Sequence, residues 1–168
     1  MSDKYLGDWI NSRDLKDIVV LGKGAHTPDC LPDKIKPQIE ESLSRGNIDK
    51  LDIYCLHRDN VDVPVTEFID ALNECKKEGL IDVLGASNWE LERFKSANDY
   101  AEEQDKESFK VLSNNFSLAR MIEPVWPGCF SCDESYLKYL KDNNIHLFPW
   151  SSQALSLIHI SEPTRQPC

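Results

Sequence analysis

No apolar run in this sequence approaches the roughly 18 residues that a membrane-spanning helix requires, so no membrane partner is expected. The N-terminus, MSDKYLGDW, lacks the basic–apolar–small order of a secretory signal, and a soluble, cytoplasmic protein is the expectation. Basic residues are in deficit, with 19 Lys and Arg against 29 Asp and Glu and a net charge of −10. Phosphate-backbone binding needs clustered Lys and Arg, so nucleic acid is not an expected partner. Six cysteines scattered over 168 residues, with no secretion signal, do not make a disulfide framework. Cys129 and Cys132 form a lone CxxC that lacks the two further ligands of a structural zinc site. Completing it with His26 and Cys30 is a remote reading; surface or half-buried thiols are preferred, and no metal is expected.

What is present is a packed globule. Forty per cent of residues are apolar, with four Trp and six Phe. Five short β-like runs recur: Ile18 to Leu21, Leu51 to Leu56, Ile81 to Ala86, Phe109 to Leu112 and Ile145 to Phe148. They are rich in Ile, Val, Leu and Phe, as strands buried on both faces tend to be. Between them apolar residues recur at helical steps: Ile35, Ile39 and Leu43; Val65, Phe68, Ile69, Leu72 and Cys75, with Gly79 as a C-cap; Leu91, Phe94, Ala97 and Ala101; Leu137 and Leu140. Tyr5, Leu6, Trp9 and Ile10 predict a helix that opens the chain. Alternating helices and strands imply a parallel α/β sheet.

The strand starts lie about 32 residues apart, and eight such units would need about 250 residues, the usual size of a (β/α)₈ barrel. Five units make either an open doubly wound sheet or part of a barrel. The segment Leu21-Gly22-Lys23-Gly24 is too short for a dinucleotide fingerprint and has a Lys where the turn needs glycine. Periodicity leaves the two architectures open.

In parallel α/β folds the chemistry gathers at the carboxyl ends of the strands. Here those ends carry Lys23, His57-Arg58-Asp59, Ser87-Asn88-Trp89, Asn114-Asn115 and Trp150-Ser151-Ser152-Gln153. Each has an ordinary structural reading: a solvated lysine, a hydrogen-bonded histidine, a Ser-Asn turn before a helix, a tryptophan plug. Five polar strand ends in a row are harder to set aside.

Lys23 in VVLGKGAH, His57 in LDIYCLHRD, the GASNW segment at 85–89, NNFSLAR at 114–120 and PWSSQA at 149–154 resemble the aldo-keto reductase family, in the right order. The opening DKYLGDWI is similar to the family helix that follows the second barrel strand. The resemblance implies a partial (β/α)₈ TIM barrel with about five parallel strands, equivalent to strands three through seven. It also implies NAD(P)H-dependent carbonyl reduction, with NADP(H) or NAD(H) as cofactor and a small-molecule carbonyl or alcohol as substrate.

In that family a tyrosine protonates the carbonyl oxygen as hydride arrives, a lysine held by an aspartate lowers the tyrosine pKa, and a histidine orients the carbonyl. A developing alkoxide needs a proton donor in reach and fixed positive charge nearby. By resemblance Lys23 is the lysine and His57 the histidine. Ser87 and Asn88 match the pair that bonds the nicotinamide carboxamide, Trp150 the stacking aromatic with Ser151 beside it, and Trp89 a wall of the substrate pocket. The usual Gln on the carboxamide is unmatched, with Ser113 and Asn115 as alternatives.

The family's Asp and Tyr lie upstream of the DKYLGDWI-like helix, and none of Tyr5, Tyr54, Tyr100, Tyr136 and Tyr139 stands in the equivalent place. The eighth strand and the segment that grips the adenosine phosphate are not matched either. Residues 155–168 resemble an in-frame translation of a transposase-type sequencing adapter, so His159 and Cys168 are expected to have no role. The expectation is a barrel fragment over 1–154 with a disordered, non-native tail, and an inactive chain. The rival readings are a non-catalytic nicotinamide-binding member of the superfamily and a five-stranded doubly wound signalling or flavin-binding domain.

Overall fold

The computed structural model of the chain describes residues 2–13, 15, 17–119, 123, 124 and 126–152; the expected tail at 155–168 lies outside them. Helices and strands alternate as α1 (Ser2–Asn11), β1 (Leu21–Gly24), α2 (Pro32–Gly46), β2 (Leu51–Leu56), α3 (Val65–Lys77), β3 (Ile81–Ser87), α4 (Leu91–Glu103), β4 (Val111–Ser113), α5 (Glu134–Asp142) and β5 (His146–Leu147). The strands form one parallel sheet in the order β1-β2-β3-β4-β5. A sequential order has no switch point, which rules out the doubly wound alternative. The sheet is part of a (β/α)₈ barrel wall.

The helical steps fall where burial requires them. Ile35, Ile39 and Leu43 of α2, Phe68, Ile69, Leu72 and Cys75 of α3, and Leu91, Phe94, Ala97 and Ala101 of α4 are all buried. They pack with Tyr54, Leu56, Leu84, Ala86 and Leu112 of the strands in one core on the outer face of the sheet. Helix α3 ends as Gly79 suggested: at φ +79° it leaves the Leu80 N–H free to bond the Cys75 carbonyl at 3.0 Å. Two helical expectations shift. In α5 the buried pair is Tyr136 and Leu140, with Leu137 exposed, and in α1 only Ile10 of the four expected apolar residues is buried.

Strand boundaries move more. The first run was expected at Ile18 to Leu21, but the ladder forms at Leu21–Gly24. The Asp52 carboxylate takes the Val20 N–H at 2.7 Å, so the ladder opens one residue later, where Leu21 pairs with Ile53. The cysteines also differ from expectation. Among the described cysteines, Cys30, Cys55, Cys75 and Cys129 are buried rather than surface thiols, and Cys132 is half-buried.

On the inner face of the sheet a second, smaller cluster joins Ile53, Cys55 and Val111 with Leu21 and Val83. Alternate residues along a strand share a face, so this set points the same way as Lys23, Ser87 and Ser113. Gly85 lies among them, paired with Cys55 and Val111. A Cβ at Gly85 would stand 2.5 Å from Cys55 Sγ and 3.1 Å from Val111 Cβ, so the family-like GASNW motif opens with a glycine for steric reasons.

The Tyr54 hydroxyl is buried with no hydrogen-bond partner among the described residues. An unpaired buried hydroxyl costs desolvation and returns nothing. Tyr54→Phe is therefore expected to leave stability unchanged or raise it by about 1 kcal/mol. The urea midpoint at constant m-value reads this, and a clear loss of stability would mean that the hydroxyl is satisfied.

Candidate active site

Parallel strands and an alternating side-chain period carry the strand-end residues to one rim. Lys23 pairs across β1–β2 with Cys55, and Ser87 across β3–β4 with Ser113. The His57 N–H continues the ladder beyond β2, donating to the Gly24 carbonyl at 2.6 Å. As a result Lys23, His57, Ser87, Asn88 and Trp150 line one cleft of about 130 Å³, together with Arg58, Trp126 and Cys129. A larger cleft of about 380 Å³ opens on the other side of Lys23 and His57, bounded by β1, α1 and α2.

Lys23 lies along the open inner face, so the residue as a whole is exposed. Its ammonium is drawn into the cleft, where Nζ donates to Ser113 Oγ at 2.8 Å and to Ser87 Oγ at 3.4 Å. Ser87 in turn donates to the Ser113 carbonyl at 2.6 Å. Desolvation lowers the Lys23 pKa, and the nearby Cys55 opposes this only weakly. The Cys55 thiol is itself pushed up to about 12 by burial, so it offers no negative charge at neutral pH.

His57 packs edge-on against His26, ring centroids 4.9 Å apart. Its pKa is lowered to about 4, first by burial and then by the charges of His26, Lys23 and Arg58. It is therefore a neutral imidazole at pH 7. A histidine that resists protonation when folded binds fewer protons than the unfolded chain between about pH 6.5 and 4. Stability should therefore fall as the pH drops through that window. The His57 ring proton should titrate near pH 4 by NMR, and His57→Gln should flatten this part of the stability profile. A midpoint near 6.5 would contradict the burial argument.

Asn88 is held at φ +59°, a left-handed conformation that Asn tolerates better than most residues. Its Nδ2 donates to the His57 carbonyl at 3.2 Å and to Ser87 Oγ at 3.1 Å, while its Oδ1 accepts from Trp150 Nε1 at 3.2 Å. Trp150 is further placed by Asn115, whose Nδ2 donates to the Trp150 carbonyl at 3.3 Å, and faces Trp126 at 6.1 Å. Ser151 follows at φ +53° but does not line the cleft. Of the two alternatives for the missing Gln, Ser113 engages Lys23, and Asn115 bonds Trp150 and Ser131.

Trp89 departs from expectation. It is fully buried in the outer core, against Phe68 and Phe109, and is no wall of the cleft. Cys129 and Trp126 are the cleft residues that strand ends did not reveal. Both sit in the long connection between β4 and α5, whose length was the available signal, since long loops in compact domains tend to be functional. Arg58 donates to Cys129 Sγ at 2.7 Å, tying that loop to the rim of β2. Cys30 donates to the Arg58 carbonyl instead of joining a metal site, and among the described residues no group of three or more His, Cys, Asp or Glu could hold a metal ion. No described helix is long and apolar enough to cross a membrane.

The residues present suit a nicotinamide. Asn88 and Trp150 line the cleft, and although both Asn88 Nδ2 hydrogens are engaged by the His57 carbonyl and Ser87 Oγ, Asn88 Oδ1 keeps one lone pair beyond its bond from Trp150 Nε1 for a carboxamide N–H.

Known proteins resemble this chain in sequence and fold. An aldo-keto reductase of Fusarium vanettenii is 28% identical over 116 residues, covering 69% of this chain and 29% of that protein. An NADH-specific methylglyoxal reductase of Escherichia coli is 35% identical over 74 residues, 42% of this chain and 23% of that protein. The crystal structure of an aldo/keto reductase from Klebsiella pneumoniae in complex with NADP and acetate superposes with a TM-score of 0.68 at 21% identity, covering 92% of this chain and 50% of that one. The chain thus spans less than a third of these curated relatives and half of the solved structure. The model of the aldo/keto reductase family matches residues 1–159, running past Ala154 where the recognisable motifs stop, and the chain belongs to that family.

Proposed function

We propose that the cleft is the nicotinamide side of a site for NAD(P)(H)-dependent reduction of small aldehydes or ketones, or oxidation of the corresponding alcohols. The observation that carries this reading is the convergence of Lys23, His57, Ser87, Asn88 and Trp150 on one cleft at the carboxyl ends of consecutive strands. When bound, the nicotinamide supplies the hydride. Ser87 and Asn88 orient its carboxamide, and Trp150 covers its ring. Neutral His57 donates a hydrogen bond to the substrate carbonyl without a full charge, and the Lys23 ammonium stabilises negative charge that develops on oxygen. Ser151 belongs to the same proposed cofactor set through its neighbour Trp150.

The chain by itself is proposed to reduce carbonyls poorly. Among the described residues no tyrosine lines the cleft: Tyr5 is exposed on α1, Tyr54 is buried in the outer core, Tyr100 bonds Asp70, Tyr136 bonds the Trp89 carbonyl and Tyr139 packs against Phe94. Without a proton donor the rate should fall by about 10²–10⁴-fold. The experiment is a titration of the full chain with NADPH and with NADH, followed by quenching of tryptophan fluorescence, alongside turnover with methylglyoxal. Binding is expected, weakened by about tenfold in Asn88→Ala, the loss of one good hydrogen bond, with turnover far below that of a full-length reductase. Binding unaffected by Asn88→Ala would remove the carboxamide assignment, and ordinary turnover would remove the claim of weak activity.

A further inference from the structure

We propose that Trp126 is the substrate-side wall of the cleft, that it favours carbonyl compounds carrying an aryl group, and that Arg58 positions it. The assignment rests on the oxidoreductase reading above, because it divides the cleft between a nicotinamide and a carbonyl substrate. The ring expected as that wall, Trp89, lies in the outer core, whereas Trp126 lines the cleft together with Trp150. The loop that carries Trp126 is pinned on both sides of it. The Cys129 N–H donates to the Trp126 carbonyl at 3.2 Å and closes a turn, in which Gly128 takes a left-handed φ of +71° that a side chain rarely adopts. Past the turn the loop runs beside the end of β4. There the Asn115 N–H donates to the Phe130 carbonyl at 3.0 Å, and the Cys132 N–H donates to the Asn115 carbonyl at 2.8 Å. The Asn115 side chain accepts from Ser131 Oγ at 3.1 Å and donates to the Trp150 carbonyl at 3.3 Å, so one residue sets the loop against Trp150. The second anchor is Arg58, whose Nη1 donates to Cys129 Sγ at 2.7 Å and to the Gly128 carbonyl at 3.4 Å. A planar guanidinium holding two groups of one turn fixes its direction as well as its distance.

The two indoles of the cleft serve different groups. Their centroids are 6.1 Å apart and their planes are inclined by 50°, so they form a V. Parallel faces would clamp one ring from both sides; inclined faces each meet a separate group. Trp150 is bonded to Asn88 Oδ1 and stays with the carboxamide pair. Trp126 is tied through Cys129 to Arg58, the neighbour of His57, and His57 receives the substrate carbonyl in the reading above. A group attached to the carbonyl carbon therefore meets Trp126. An indole face attracts a flat aromatic ring beyond what the buried area alone supplies, through offset stacking, and a saturated ring of the same size lacks that gain.

The test compares two ketones of the same size, acetophenone and cyclohexyl methyl ketone, binding to the full chain by saturation-transfer NMR. Acetophenone should bind about three- to tenfold more tightly, the stacking gain expressed as a ratio. Trp126→Leu should bring the ratio close to one, and Trp126→Phe, which keeps an aromatic face, should restore most of it. Arg58→Ala should lower the ratio as Trp126→Leu does, and the double variant should lose no more than either alone, because both act through one ring. A merely structural Arg58 would weaken both ketones alike and leave the ratio unchanged. Circular dichroism establishes that each variant is folded; if Arg58→Ala is not, Arg58→Met takes its place. Acetophenone and NADPH should bind together, and competition between them would give Trp126 to the cofactor and overturn the proposal. So would a parent that binds neither ketone or shows no preference, or a ratio that Trp126→Leu leaves intact. The ratio is read without NADPH. A chain that fails to bind NADPH would therefore remove the oxidoreductase reading, while the ketone ratio would still decide whether Trp126 holds an aryl group.

Discussion

Arg93→Ala is expected to destabilise the fold by about 3–5 kcal/mol, the usual cost of leaving a buried charge without its partner. Asp59 follows His57 and Arg58 at the rim of β2, and its side chain is 8% exposed, against 18% for Arg93. The guanidinium binds Asp59 through Nε and donates to the carbonyls of Asn60 at 2.9 Å and Val63 at 2.6 Å. One side chain therefore ties α4 to the whole β2–α3 connection. Even so, burial raises the Asp59 pKa more than Arg93 lowers it, and Asp59 Oδ1 has no hydrogen-bond partner among the described residues. A carboxyl whose folded pKa is raised binds protons more readily when folded, so its own titration favours folding as the pH falls. This runs opposite to His57. It follows that the pair serves geometry more than stability, and Asp59→Asn combined with Arg93→Met should lose less than Arg93→Ala alone. Urea unfolding of the three proteins checks this, and a single Arg93→Ala variant within 1 kcal/mol of the parent would show the pair to be solvated.

Trp89→Ala is the second large effect, expected at about 3–5 kcal/mol from lost burial and the cavity left behind. The indole is fully buried, edge-on to Phe68 at 5.8 Å and to Phe109 at 5.3 Å. Its Nε1 donates to the Arg58 carbonyl at 3.3 Å, and its backbone exchanges hydrogen bonds with the Asn114 amide at 3.2 and 2.8 Å. Tyr136 Oη closes the set on the Trp89 carbonyl. Trp89 thus clamps the ends of β3 and β4 and the start of α5 around Ser87 and Asn88. A pocket wall would instead cost ligand affinity and little stability, so thermal unfolding separates the two roles. Arg93 lies over the Trp89 ring at 5.4 Å, so the two substitutions should not be additive.

The helices and their buried faces were legible in the sequence because a 3.6-residue apolar period reports directly which side meets the core. Ile39, Phe68, Leu72 and Phe94 follow from spacing alone. Strand limits were less legible. The run Ile18 to Leu21 is apolar, but pairing is decided by a partner strand 30 residues away, and the Asp52 carboxylate takes the Val20 N–H first. In α5 the same limit applies, since Tyr136 is buried by bonding a carbonyl of a distant turn.

The sequence by itself determined the alternation of helix and strand, the parallel connectivity, and the five polar strand ends with their family-like motifs. These are local properties, written in period, composition and order. Only the tertiary structure decided that the strands pair in sequence order, that Trp89 belongs to the core and Cys129 to the cleft, and that the Lys23 ammonium meets the Ser87 and Ser113 hydroxyls. Each of those depends on register across the sheet and on which face a side chain shares with residues far along the chain, and burial then sets the charge state that each group can hold.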